Sequence, residues 1–130
     1  MLERESPVVF TKEFFDELQV KAKQSARLRT SFDLRNTPED NSQRILNVLE
    51  KGTAVPVHCH PDTSEAVVIV RGIIDWIFYD ENSKETARYR LDSQKGPYGI
   101  LIPAGQLHSI EVIEPSVIFE AKDGKYIPGR

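Results

Sequence analysis

The spacing of apolar positions changes once along this chain, near residue 27, from a helical period to a strand-like one. Before the change, Ser6 to Phe10 read as a short extended segment, and Thr11 offers a side-chain oxygen that can cap a helix running to about Ser25. Phe14, Phe15, Leu18 and Ala22 fall at helical spacing and form one apolar face. Lys12, Glu17, Lys21 and Lys23 lie mostly outside it. A helix laid across a β-structure accounts for that pattern.

After the change, runs rich in β-branched and aromatic residues alternate with turn signals. Strands are expected at 29–34, 43–50, 55–60, 65–70, 73–79, 86–91, 99–102, 108–113 and 117–122. The segment 43–50 has helical propensity but is short and runs straight into Gly52, so it is read as a strand. Turns are expected at Asn36 to Asn41, at Arg71-Gly72, at Asp80 to Ser83 and at Pro103 to Gly105. About nine or ten short strands at close intervals point to an antiparallel sandwich or barrel. The fold class expected is all-β, a small antiparallel barrel with an N-terminal α-helix. No repeat, low-complexity stretch or linker divides the chain. A single domain over 1–130 is expected, with a helical extension at 11–25, the barrel at 28–122 and a tail at 123–130.

Composition narrows the function. The chain has 130 residues, 39% hydrophobic and 28% charged, with a net charge of −3 and a pI near 5.6. That is enough for a core without staples. No basic stripe or block supports nucleic-acid binding, and no apolar run near membrane-spanning length is present. The first ten residues lack the basic start, apolar run and cleavage site of a signal peptide, and Cys59 has no second cysteine to pair with. A cytoplasmic protein is expected.

All three histidines fall in two short phrases, His58-Cys59-His60 with Glu65 five positions on, and Pro103-Ala104-Gly105-Gln106-Leu107-His108. If 55–60 is a strand, alternation puts His58 and His60 on one face and Cys59 on the other. The loop Pro61 to Ser64 lets Glu65 start the next strand near the same end, and the turn before His108 can bring that residue opposite. Each residue alone would pass as a polar surface side chain. Together they make a mononuclear metal site, with His58, His60, Glu65 and His108 as ligands. Imidazole and carboxylate suit one divalent transition metal, Fe, Mn, Ni, Zn or Cu, and donor type does not choose among them.

These residues resemble a known pattern. Gly52, five residues, His58-x-His60, four residues, Glu65, six residues and Gly72 match the first cupin motif, and Pro103-x-Gly105-x-x-His108 matches the centre of the second. The asparagine often found four positions after that histidine is replaced by Val112, and the glycine usual six before the proline is replaced by Pro97. Ser25-Ala26-Arg27-x-Arg29, Asp40-x-x-Gln43-Arg44, Gly52-Thr53-x-Val55-x-x-His58 and Glu120-x-Lys122-x-Gly124-x-Tyr126-x-Pro128 are similar to the WbuC-type cupin fold metalloproteins, over residues 10–128. Ser64 departs from an aromatic position of that type, and Phe32 to Arg35 from a segment that often carries histidine. The resemblance implies a double-stranded β-helix (jelly roll), a His/His/Glu/His metal site, pairing as a homodimer and a setting in surface-polysaccharide metabolism.

Polar groups beside the ion would orient a ligand. Arg44 and Gln43 come first, because they open a strand just before the first motif and belong to the family pattern; Lys122 and Tyr126 follow, with Arg27 and Arg29. An arginine can grip a carboxylate or phosphate with two parallel hydrogen bonds; equally, these cations can pair with Asp40, Glu120 or Asp123. Trp76, Phe78 and Tyr89 are expected in the core or barrel wall. Two functions compete. One is a metal-dependent enzyme (isomerase, lyase or dioxygenase) acting on a sugar, a sugar nucleotide or another small polar molecule; the other is a non-catalytic protein that holds an anionic or carbohydrate ligand with the help of the metal. A barrel that mainly dimerises is a weaker third. No dedicated general base stands out in the sequence.

Overall fold

A computed structural model describes residues 6–127. Met1 to Glu5, on which the leader and compartment readings partly rest, and Pro128, Gly129 and Arg130 of the expected tail and motif lie outside the described residues. The helix α1 spans Lys12–Gln24. Thr11 caps it, accepting from the Phe14 N–H at 3.0 Å, an arrangement that contributes about 1 kcal/mol. Ser25 closes it with its N–H on Ala22 and Lys21 carbonyls. Phe15, Leu18, Ala22 and also Gln19 are buried, while Phe14 is partly covered.

Six strands follow: β1 Arg29–Asp33, β2 Ser42–Leu49, β3 Glu65–Tyr79, β4 Glu85–Asp92, β5 Gly99–Ile102 and β6 Leu107–Asp123. All pairings are antiparallel, in the order β1-β2-β6-β3-β4, with β5 also on β3. This is the expected all-β jelly-roll architecture with one N-terminal helix. Its inner face carries Leu49, Val67, Ile69, Ile74, Trp76, Leu91, Ile102 and Ile118. Its outer face on β1, β2 and β6 receives α1, which packs Phe15, Leu18 and Ala22 on Leu46, Val48 and Val117. Arg71 latches the helix to β3, donating to Asp16 Oδ1 at 2.8 Å and to the Lys12 carbonyl at 3.3 Å.

The strand count departs from the sequence expectation because two signals read as breaks are not and one expected strand does not form. Arg71-Gly72 does not reverse the chain. Gly72 has φ +90° and sits where the β3–β6 register slips, so the expected 65–70 and 73–79 strands are one bulged strand. Opposite it, Pro115 lacks an N–H, and its neighbourhood bends without ending β6, which joins the expected 108–113 and 117–122. Conversely, 55–60 is not a strand. Pro56 and Pro61 cannot donate to a ladder, and only one bridge forms, with His58 N–H on His108 O at 3.0 Å and His108 N–H on His58 O at 2.8 Å. Residues 6–10 join no strand.

Candidate metal centre

That single bridge is what brings the two histidine phrases together. The turn before β6 is docked on the same segment, the Gly105 N–H donating to the His60 carbonyl at 2.9 Å. His58, His60 and His108 each offer a ring nitrogen, and the three atoms lie within 4.8 Å of one another. Glu65, at the start of β3, puts Oε2 2.9 Å from His60 Nε2. The three histidines therefore meet at one end of the barrel interior, and Glu65 joins them through its contact with His60. Cys59 between the histidines is half-buried and outside that cluster.

The hydrogen bonds orient the rings. His58 Nδ1 lies 2.9 Å from the Pro56 carbonyl and His108 Nδ1 2.8 Å from the Gln106 carbonyl. A carbonyl only accepts, so both Nδ1 atoms carry a proton and both Nε2 lone pairs are left for a ligand. Backbone support of this kind is what metal-binding imidazoles need to hold their tautomer. Burial, ahead of the neighbouring His58 and His60 charges, holds His108 below the ordinary histidine range, although its bond to the Gln106 carbonyl opposes this. Neutral imidazole is the ligating form. Burial alone would raise Glu65, but its bond to His60 and the nearby charges of His60, Lys122 and His108 keep it ionised below the usual glutamate value. Three imidazoles and one carboxylate are a donor set that suits a divalent transition metal.

The centre opens on a cavity of about 640 Å³. Alternation on β2 and β6 decides which side chains reach it. Ile45, Asn47 and Leu49 point in from β2, and Ile118, Glu120 and Lys122 from β6. Lys122 Nζ is 3.1 Å from His60 Nδ1, and the Tyr126 ring lines the mouth with Arg27 and Arg29. Gln43 faces an adjoining depression with His60 and Lys122, and its Nε2 donates to the Gly124 carbonyl at 3.3 Å. Arg44, ranked first among ligand-gripping residues, is elsewhere. It projects from the outer parity of β2 and bonds Asp40 Oδ2 at 3.1 Å, the Ser42 carbonyl at 3.1 Å and the Leu34 carbonyl at 3.4 Å. Trp76 is 2% exposed and forms part of the cavity floor.

Sequence reasoning named Glu120 only within the family pattern and as a partner for a cation, and passed over Asn47. Glu120 lies in the cavity wall, accepts a hydrogen bond from Asn47, and is pushed up to about 7 by burial and then by the negative charge of Glu65. Two carboxyl groups in one cavity, one held low and one high, are a recurring arrangement for moving a proton. The missed signal was parity with Ile118. β6 is covered on both faces, by the barrel interior and by α1, so alternation of apolar and polar residues did not show which charge points inward.

Residues 10–91 match the family model described as a domain of unknown function (DUF6016). The chain belongs to that family. No curated protein matches the sequence. Among solved structures the fold is that of the cupins. The Cnp3 cupin domain of Schizosaccharomyces pombe superposes with a TM-score of 0.59 at 15% identity, over 74% of this chain and 64% of that one. The capsular polysaccharide assembling protein CapF of Staphylococcus aureus gives 0.63 at 22% identity, over 77% of this chain and 27% of CapF. Oxalate oxidase in complex with the substrate analogue glycolate gives 0.62 at 13% identity, over 80% and 55%. The DUF6016 chain thus spans about a quarter of CapF and about half of oxalate oxidase.

Proposed function

We propose that this DUF6016 protein is a mononuclear metal-binding cupin of the WbuC type, with His58, His60, Glu65 and His108 as ligands to one divalent ion (Fe, Mn, Ni, Zn or Cu). It acts on a small polar molecule, such as a sugar or sugar nucleotide, in surface-polysaccharide metabolism. The carrying observation is the convergence of three histidine nitrogens, with Glu65 held against His60, on the wall of a cavity. A bound metal supplies Lewis acidity and open positions for a ligand oxygen. Glu120, fixed by Asn47, is placed to take or give a proton at its carboxylate. Arg27 and Arg29 bring positive charge to the mouth, and among the described residues no carboxylate forms an ion pair with either. That lining favours a ligand with an anionic group and hydroxyls. A capsular polysaccharide assembling protein and an oxalate oxidase that takes glycolate, both similar in fold, are compatible with such a ligand.

The same reading takes 1–130 as one cytoplasmic domain, barrel at 28–122, and a homodimer. Exposed Val68, Val70 and Leu101 on the outer face of β3 and β5 support the dimer. No helix among the described residues is long and apolar enough to cross a membrane.

The test is metal content by mass spectrometry on tag-free protein never exposed to chelating resin, with His60→Ala and His108→Ala beside it. Near one equivalent of a transition metal in the wild type and loss in both folded variants is expected. Equal metal content in all three rejects the site.

A further inference from the structure

His60 is held differently from the other two histidines. Its Nδ1 meets the Lys122 ammonium at 3.1 Å, where the other rings meet carbonyls. An ammonium only donates, so His60 Nδ1 accepts and the ring proton sits on Nε2, donated to Glu65 at 2.9 Å. A ring that gives its Nε2 lone pair to an ion must carry its proton on Nδ1. That proton would then point at the Lys122 ammonium, donor against donor.

We propose that Lys122 is a built-in competitor of the metal ion at His60, and that ion binding turns the His60 tautomer and releases the Lys122 ammonium into the cavity toward Glu120. This rests on the metal-site reading above. The released side chain has a partner at hand. Lys122 and Glu120 are two residues apart on the inward face of β6, and both line the cavity. Lys122 is thus a positioning residue. With the ion absent it neutralises Glu65 and occupies His60; with the ion present it lends its charge to the wall where an anionic ligand would lie.

Zn²⁺ affinity, measured by competition with a chromophoric chelator, tests this on wild type, Lys122→Met, Glu120→Gln and the double variant, with Lys122→Gln as a second replacement should the methionine variant not fold. Removing the competitor should tighten Zn²⁺ binding roughly tenfold or more. Glu120→Gln should weaken it several-fold in the wild-type background and change it little once Lys122 is gone. An equal loss in both backgrounds means Glu120 acts only through its field and overturns the relay. Long-range ¹H–¹⁵N spectra of the metal-free wild type need no variant and should show His60 protonated on Nε2, with His58 and His108 protonated on Nδ1. His60 protonated on Nδ1, or unchanged affinity in the Lys122 variants, overturns the proposal while leaving the metal site standing. A wild type that takes up no Zn²⁺ overturns the metal site itself.

Discussion

Gly52 and Gly72 offer a controlled comparison, because both sit at φ +90° and differ only in what surrounds them. A Cβ on Gly52 would meet only Leu28 Cδ1, at 3.5 Å, an ordinary contact. A Cβ on Gly72 would lie 2.3 Å from the Pro115 carbonyl oxygen, 2.2 Å from Ser116 Oγ and 2.8 Å from Ser116 Cα. The hydroxyl can rotate away, but the two backbone atoms belong to β6 and move only with the strand. Gly52→Ala should therefore cost only the left-handed backbone penalty of about 1–2 kcal/mol. Gly72→Ala should cost that plus roughly 1–3 kcal/mol for displacing packed backbone. Against a typical total of about 5–15 kcal/mol this separates a mild variant from a severe one. Urea unfolding followed by fluorescence of Trp76, the single and buried tryptophan, is the assay, with the slope m checked for constancy. Equal destabilisation by the two alanines would refute the reasoning, since it would mean the bulge relaxes freely and only φ matters.

Two further outcomes follow from the electrostatics. Arg44→Ala should leave the metal content and the affinity of an anionic ligand unchanged, because its guanidinium serves Asp40 and two carbonyls on the outer side of β2; isothermal titration against the wild type checks this, and weakened ligand binding would return Arg44 to the site. Asp75 is held below the ordinary aspartate range by its bond to Arg90, with Arg88 adding to this and burial opposing it. A depressed carboxyl contributes stability that is present above its unfolded value and lost as pH falls through the folded one. Asp75→Asn should therefore be less stable at neutral pH and should flatten the wild-type loss of stability below about pH 4. Parallel acid-unfolding curves for the two proteins would exclude that role.

Much of this architecture was legible from local chemistry. The helix was readable because Thr11 and a clean apolar stripe agree, and β1, β2, β4 and β5 because turn residues bound each run. The three clustered histidines were readable as a candidate site because histidine is scarce here and confined to two phrases. What the sequence hid are features set by distant neighbours. Gly72 and Pro115 look like chain reversals until they are found facing each other across a bulge. Arg44 looked like a ligand because it begins a strand before the motif, yet β2 is apolar on both faces, Ile45 and Leu49 inward and Leu46 and Val48 outward, so no pattern could fix its side. Glu120 was hidden for the same reason on β6.

The length of β6 has one more consequence. His108 and Lys122 are fourteen steps apart on one strand, which is roughly 45 Å if fully extended. Yet both line one cavity and both touch the 58–60 segment. The strand must curl around the barrel for its two ends to meet there. The candidate ligands therefore do not form a portable peptide motif. A fragment carrying His58 to Glu65, or a graft of both histidine phrases onto a flatter sheet, would transfer the donor atoms without the curvature that gathers them. Either should hold an ion far more weakly than the whole barrel, and ion uptake should serve as a reporter of completed folding.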